Sequence, residues 1–322
     1  MRATIIALLL GTVALEGSVV AATQDAAAAR TAVDQALERA AAAVEAGRRP
    51  EAKKLLASAA DRYDSVRALM QLARIQSGEG DAAGALVTLE RARRLAPDAE
   101  DVLSAIAQVA LAGRTPVPAI MALEPLTRLA PRTAQHHYLL GVALMQAGDM
   151  PAAVEVLREA DRLRPGQSLT AIALGIALNS RKLFDEAGPL LREVLEREPD
   201  NVEALAALAE AEEGLGELEA ADTHAKRALA ASPQHPTANL VIGMVLMKHD
   251  RYQEAKPALE RAIAADRDSP KAYYQLSLAC ARLGDVDGAA ANRQLYQQKL
   301  RAMEARIEEL RRAGMPGPDA TR

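Results

Sequence analysis

Residues 140–165 read LGVALMQAGDMPAAVEVLREADRLRP, and their spacing of small residues, leucines and a closing proline recurs along the chain. Prolines follow one another at intervals of 34 residues: Pro97, Pro131, Pro165, Pro199 and Pro233. Twelve residues before each stands an alanine: Ala85, Ala119, Ala153, Ala187 and Ala221. Twelve residues earlier again stands a small residue: Ala73, Ala107, Gly141, Gly175 and Ala209. A fixed period of this length predicts a repeat architecture rather than separate globular domains.

The repeat frame extends beyond the five prolines in both directions. Gly243, Ala255 and Leu259 fit the next unit, although Arg267 replaces its proline, and Ser277 and Gly284 fit one more. Upstream, alanines and leucines fit a first unit that is one residue short. The sequence therefore predicts eight units, which start near residues 33, 66, 100, 134, 168, 202, 236 and 270.

Each unit has the pattern of two short helices joined by a turn. In the quoted stretch, Leu140 and Leu144 recur at helical spacing, Gly148 marks a turn, and Pro151 stands in the first turn of the next helix. The chain has no tryptophan and one phenylalanine among 50% hydrophobic residues, and it is rich in alanine, leucine and valine. Alanine has the best helix propensity and lets helices pack closely, so the predicted fold class is all-α.

The set of repeat positions resembles the tetratricopeptide repeat family over residues 33–313. The resemblance implies a right-handed α-solenoid of about eight helix-turn-helix repeats, in which the first helices line a concave groove. Residues 295–314 extend the last helix and place Tyr296, Leu300, Met303, Ile307 and Leu310 on one face. A C-terminal capping helix is favoured over a dimer seam, because the pattern lasts only about two heptads. Pro125, Pro189 and Pro257 are expected to kink or shorten their helices, and residues 314–322 are expected to be a disordered tail.

The N-terminus has the pattern of an export signal. Arg2 precedes an apolar stretch from Ala3 to Leu15, and small residues follow around Ala21. About 20 residues are needed to span a bilayer, so this stretch predicts a cleaved signal peptide at residues 1–22, with an uncleaved membrane anchor as the alternative. A linker over 23–32 is expected to follow. The predicted location is periplasmic or secreted.

Composition and spacing argue against several kinds of chemistry. The net charge is -4 and no basic cluster occurs, which argues against nucleic-acid binding. His136 and His137 are adjacent and point about 100° apart on a helix, so a shared metal ion is not expected. Cys280, the single cysteine, is predicted to be a buried inert thiol. No catalytic motif, cofactor motif or metal site is predicted, and the chain is predicted not to be an enzyme.

The resemblance implies that the second, fifth, ninth and twelfth positions of the first helices line the groove. In the middle and C-terminal units these positions give a mostly apolar face interrupted by carboxylates: Tyr138, Val142, Met145, Leu169, Ile172, Ile176, Asn179, Glu203, Glu210, Glu213, Leu240, Met244, Met247, Lys271, Tyr274 and Leu278. An exposed apolar groove is typical of a protein-binding surface. The competing interpretation is that superhelical curvature buries several of these residues between repeats.

The sequence thus favours a non-enzymatic scaffold that binds another protein as a peptide or amphipathic helix. A lysine or arginine of the partner is expected opposite Glu210. Resemblance implies a role in envelope assembly, secretion or polysaccharide export. Two alternatives stay open: a chaperone-like adaptor that holds apolar client segments, and an accessory subunit of a separately encoded enzyme. A monomer is expected, with membrane contact only if the N-terminal segment is uncleaved.

Overall fold

A computed structural model of the protein describes residues 25–312, and every regular element in that range is an α-helix. The helices are α1 (25–45), α2 (Arg49–Tyr63), α3 (Val66–Gly78), α4 (Ala82–Leu95), α5 (Glu100–Ala112), α6 (Pro116–Leu129), α7 (Ala134–Ala147), α8 (Met150–Leu163), α9 (Ser168–Ser180), α10 (Phe184–Arg197), α11 (Val202–Leu215), α12 (Leu218–Ala231), α13 (Pro236–Lys248), α14 (Tyr252–Ala265), α15 (Pro270–Arg282) and α16 (Val286–Arg312). The all-α class is therefore confirmed.

The helices follow one another as pairs with a constant offset. From α3 onward the first helix of each pair begins 34 residues after the previous one: Val66, Glu100, Ala134, Ser168, Val202, Pro236 and Pro270. The chain divides into two compact units at Gly113, the N-terminal unit with α1–α5 and the C-terminal unit with α6–α16. From α2 onward, helices that are adjacent in sequence within a unit pack against each other. The pairing of neighbours gives the solenoid arrangement, in which contacts are local.

The small residues of the repeat are required where the two helices of a pair cross. A methyl group added to Gly141 of α7 would lie 2.5 Å from Cγ of Leu157 in α8. The same conflict arises between Gly243 and Leu259 across α13 and α14, at 2.6 Å from Cγ. Both leucines are completely buried. Each leucine therefore fills the space that the missing side chain leaves, which is why this pair of positions fixes the helix crossing.

The turn inside each pair also repeats in its backbone conformation. The residue in the turn has a positive φ in every pair from α3/α4 to α15/α16, and these residues are Gly80, Arg114, Gly148, Lys182, Gly216, Asp250 and Gly284. Alternate turns carry glycine, for which this region of φ costs nothing sterically. The left-handed residue ends the first helix and reverses the chain into the second.

The expected linker and the expected shortening of helices by internal prolines are wrong, whereas a kink at those prolines stays a prediction. Residues 25–32, assigned to a linker, are already helical; the run of alanines after Asp25 has the highest helix propensity available. The internal prolines do not shorten their helices, since α6, α10 and α14 each have 14 residues, as α8 does. Pro189 and Pro257 lie on exposed surface, so the carbonyl that each leaves without a partner can be hydrated.

The predicted signal peptide over 1–22 and the predicted tail over 314–322 lie outside the described residues. Of the helices described between 25 and 312, none combines the length and apolarity that crossing a membrane requires.

Candidate functional site

The inner face of the C-terminal unit is formed by first helices. Helices α7, α9, α11, α13 and α15 contact one another in succession, whereas the second helices α8, α10, α12 and α14 make no comparable contacts with each other. Elements that stay close along a row of repeats lie on the concave side. The residues that resemblance assigns to the groove lie on these helices, and the exposure of each side chain decides what it can do.

Eleven of the sixteen groove residues are at least partly accessible to solvent. They are Tyr138, Val142, Met145, Leu169, Ile176, Glu203, Glu210, Met247, Lys271, Tyr274 and Leu278. Leu169 is 69% exposed and Tyr274 is 40% exposed, values that are high for large apolar side chains. The eight apolar or aromatic residues among them give these helices an accessible apolar surface, which Glu203, Glu210 and Lys271 interrupt.

The other five are buried between helices: Ile172, Asn179, Glu213, Leu240 and Met244. Leu240 and Met244 belong to one core cluster with Leu259 and Leu276, so α13, α14 and α15 enclose them. For these side chains the interpretation that curvature buries the groove is correct. A substitution at Met244 would disturb packing and is therefore no test of partner binding.

The acidic residues of α11 already have partners within the chain. The Lys271 ammonium on α15 donates to Glu210 Oε1 at 2.7 Å, a contact that reaches across α13. His235 Nε2, at the start of α13, lies 3.3 Å from Glu203 Oε1, and its hydrogen bond lowers the pKa of Glu203. A cation from a partner is therefore not required opposite Glu210, contrary to the expectation from sequence.

Glu213 differs from both. It is 6% exposed, and its carboxylate makes no hydrogen bond or ion pair within 25–312. Burial raises the pKa of Glu213 and the nearby Glu210 adds to this, while Lys271 and Lys248 act in the opposite direction. Its position in the last turn of α11 is unfavourable for a negative charge as well. The Glu213 carboxylate therefore has no direct hydrogen-bond or ion-pair partner among the described residues, although two lysines act on it through space.

Replacing Glu213 by glutamine is expected to stabilise the protein at pH 7 by on the order of 1 kcal/mol. The folded-state pKa is raised, so wild-type stability is highest below the ordinary glutamate pKa of 4.5 and falls as pH rises towards the raised value. The advantage of E213Q should disappear at pH 4. Denaturant unfolding at both pH values measures it.

The matched control is Glu203→Gln on the same helix. The pKa of Glu203 is lowered, so its contribution to stability is present above the ordinary value and is lost as pH falls through the lowered one. E203Q should therefore be less stable than wild type at pH 7. If E213Q also loses stability at pH 7, the Glu213 carboxylate makes a stabilising contact in the folded protein.

The last helix, α16, extends beyond its partner helix α15 within the C-terminal unit. At 27 residues α16 is about 40 Å long, roughly twice its partner α15. Lys299 donates to Asp268 at 2.7 Å, and the rings of Tyr296 and Tyr274 lie 5.3 Å apart. The part of α16 after Lys299 continues beyond α15.

That extension reaches the turn between α7 and α8. Arg306 Nη1 donates to the carbonyl oxygen of Gln146 at 2.8 Å, and Met303 packs on Gly148. Leu310, near the end of the helix, is 4% exposed. The apolar face predicted for a cap thus contacts its own chain, and α16 links the last pair to α6 and α7.

Replacing Gly148 by alanine is expected to release this end of α16. Gly148 has φ +90°, and a new Cβ would lie 2.5 Å from Cγ of Met303. Gly216→Ala is the matched control, because Gly216 has φ +83° with no atom within 4 Å of a new Cβ. Both should lose about 1 kcal/mol from the left-handed backbone. Only G148A should accelerate hydrogen exchange over 300–312; equal exchange in both variants would contradict the contact.

Cys280 and His224, two side chains that could carry chemistry, have surroundings typical of structural residues. Cys280 is buried and desolvation raises the pKa of its thiol, as expected for an inert side chain. His224 Nδ1 lies 2.7 Å from Glu212 Oε2, and Arg192 Nη2 lies 3.8 Å from Glu212 Oε1. No group of metal-binding side chains occurs in the part of the chain that the structure describes. The pairing of His224 with Glu212 has no distinct signal in the sequence.

Comparisons with known proteins agree with this architecture. One family model described as tetratricopeptide repeat matches residues 104–168 and 240–299, and a second with the same description matches 178–241. Together the matches span more than half of the chain. No curated protein sequence matches it.

Solved structures show the same fold at low sequence identity. A tetratricopeptide repeat protein from Parabacteroides merdae ATCC 43184 is 15% identical with a TM-score of 0.61, covering 77% of this chain and 99% of that one. The human IFIT1 dimer with PPP-AAAA is 17% identical with a TM-score of 0.54, covering 80% of this chain and 66% of that one. At these identities the likeness concerns the fold alone.

Proposed function

Because the chain belongs to the tetratricopeptide repeat family, we propose that it binds another protein through the inner face of its C-terminal unit. Proteins of this family generally act as interaction scaffolds rather than as enzymes. We also propose that this chain is a scaffold without catalytic activity of its own. The partner would present an extended peptide or an amphipathic helix.

The exposed apolar side chains of the inner face carry the proposal. Leu169 and Tyr274 lie on α9 and α15, with Ile176 and Met247 partly accessible between them. Leaving such side chains in water is unfavourable, and their burial against a partner would contribute about 25 cal/mol per Å² of apolar surface. Apolar anchors on the partner are the complement to this surface.

The proposed location is outside the cytoplasm. The pattern at residues 1–22, an arginine followed by an apolar stretch and small residues, supports export to the periplasm or the medium. An assembly, secretion or export complex of a bacterial envelope is the proposed setting. Fractionation of cells that express the full chain, together with N-terminal sequencing, tests export and cleavage.

Two matched variants test the binding face. Leu169→Asp changes a side chain on the inner face that is 69% exposed, and Val286→Asp changes one on α16 that is 75% exposed. Neither substitution disturbs the core, so both variants should fold like wild type. L169D should weaken capture of the partner from the envelope fraction at least about tenfold, and V286D should not. Equal capture by both variants would place binding elsewhere.

A chaperone-like adaptor is the second candidate, because Met145 and Met247 are both partly accessible on the inner face. Methionine is flexible and adapts to varied apolar surfaces. An adaptor of this kind would suppress aggregation of unrelated unfolded proteins, whereas a scaffold would retain one partner in fixed proportion. Light scattering of an aggregating test protein distinguishes the two functions.

A further inference from the structure

Helix α16 connects the two ends of the row of first helices that forms the inner face. It packs along α15, the last helix of the row, and its final part contacts α6 and α7, where the row begins. The row curves towards its inner side, since Lys271 of α15 reaches Glu210 of α11 across α13. A straight rod that touches both ends of a curved row lies on the concave side. Helix α16 therefore borders the entrance to the inner face.

The two ends of the row approach each other closely beside α16. Lys299 donates to Asp268, just before α15, and four residues later Met303 packs on Gly148 at the end of α7. Four residues of helix rise about 6 Å, which is less than the thickness of one helix. The gap between the start of α15 and the end of α7 is therefore filled by α16.

The part of α16 after Lys299 is held on one side only. Arg306 Nη1 donates to the carbonyl oxygen of Gln146 at 2.8 Å, and Leu310 is 4% exposed. On another side of the helix, Ala302 is exposed. This part lies beyond α15, so it can separate from the turn between α7 and α8 while the helix pairs stay folded, because the contacts that hold each pair are local.

We propose that residues 300–312 form a clasp that regulates access to the inner face. In the closed state of the structure, the clasp joins the two ends of the row and blocks entry between α15 and α7. A partner reaches the inner face only after the clasp has separated from the turn between α7 and α8. The proposal rests on the proposed function and adds a built-in competitor to it. The apparent affinity for the partner is then reduced in proportion to the fraction of open molecules.

A fluorescein-labelled synthetic peptide of residues 298–312 tests whether the clasp is a separable ligand of the turn. Met303→Asp should open the clasp, because it places a charge against Gly148. Fluorescence anisotropy should show saturable binding of the peptide to full-length M303D. Binding to wild type should be at least about tenfold weaker, because its own clasp competes.

Ala302→Asp is the matched control, since Ala302 is the exposed neighbour of Met303. A302D should bind the peptide as weakly as wild type does. No saturable binding to M303D, or equal binding to M303D and A302D, would overturn the proposal.

A disulfide lock gives a second test that needs no opened variant. In the double variant Gly148→Cys/Met303→Cys the two Cβ atoms would lie 4.0 Å apart, a separation that suits a disulfide. The native Cys280 is 1% exposed and should not take part. The oxidised form should not bind the peptide, and it should capture at least about tenfold less partner from the envelope fraction than the reduced form.

The lock and the L169D variant together separate the clasp from the proposed function. Equal capture by the oxidised and reduced forms would mean that the partner needs no open clasp, and the proposal would be wrong. If L169D loses the partner while the oxidised form keeps it, the scaffold function stands and the clasp is wrong. If L169D keeps the partner while the oxidised form loses it, the clasp controls binding and the site proposed for the partner is wrong.

Discussion

Replacing Gly141 by leucine is expected to lower the free energy of unfolding by about 3 kcal/mol. The space beside Gly141 is filled by Leu157, whose Cγ and Cδ2 would lie 2.5 Å and 2.6 Å from a new Cβ. Leu157 is completely buried and has no room to move. The helices α7 and α8 would have to separate, and urea unfolding of the full chain measures the loss.

The control for this prediction exchanges the two side chains. Leu157→Ala alone should cost about 2–5 kcal/mol because it leaves a cavity. The double variant G141L/L157A approximately conserves volume, so its loss should be smaller than the sum of the single losses. Strict additivity of the two substitutions would show that Gly141 and Leu157 do not compete for the same space.

Replacing His224 by alanine is expected to cost about 3 kcal/mol. The Glu212 side chain is 3% exposed, and its Oε2 accepts a hydrogen bond of 2.7 Å from His224 Nδ1. Arg192, at 3.8 Å from the other oxygen, is too distant for a hydrogen bond. The variant would thus leave a buried carboxylate without adequate compensation, and thermal unfolding reports the decrease in Tm.

Lys226→Ala is the matched control on the same helix, because Lys226 pairs with Asp222 on open surface and should contribute at most about 0.5 kcal/mol. Replacing Glu212 by leucine together with H224A should recover most of the lost stability, since no buried charge remains. If H224A loses no more than K226A, water compensates Glu212 and the contact between His224 and Glu212 does not stabilise the fold.

The repeat could be predicted from sequence because its rules are local. Proline at the end of each unit, a small residue where helices cross and a leucine opposite it follow from packing between neighbours. Each of these positions recurs every 34 residues, so several units support the same pattern and a match by chance in one unit has little effect. The helix starts at Ala134 and Ser168 coincide with the predicted unit starts for this reason. The chain needs no long-range information to form its pairs.

The exposure of the inner face could not be predicted in the same way. Ile172 and Ile176 occupy the fifth and ninth positions of one helix, yet Ile172 is 7% exposed and Ile176 is partly accessible. How deeply each side chain lies depends on the side chains of the next repeats. Repeat position alone therefore assigns a residue to the face and leaves its accessibility open.

Contacts between distant parts of the chain could not be predicted from the sequence either. The face of Met303 and Leu310 indicated a helix that packs on something, and the choice was between a cap and a dimer seam. The structure places Arg306 on the carbonyl of Gln146, 160 residues away. No periodicity carries that information, because the contact joins the end of the last helix to one particular turn.

Site-specific crosslinking tests whether the inner face of the C-terminal unit binds the partner. The photoreactive benzoyl-phenylalanine replaces Tyr274 on α15, which is 40% exposed on the inner face, or Tyr252 on the second helix α14. Illumination of cells that express each variant should give a crosslinked partner from position 274 and none from position 252. A partner crosslinked from position 252 and absent from position 274 would show that binding does not use the inner face.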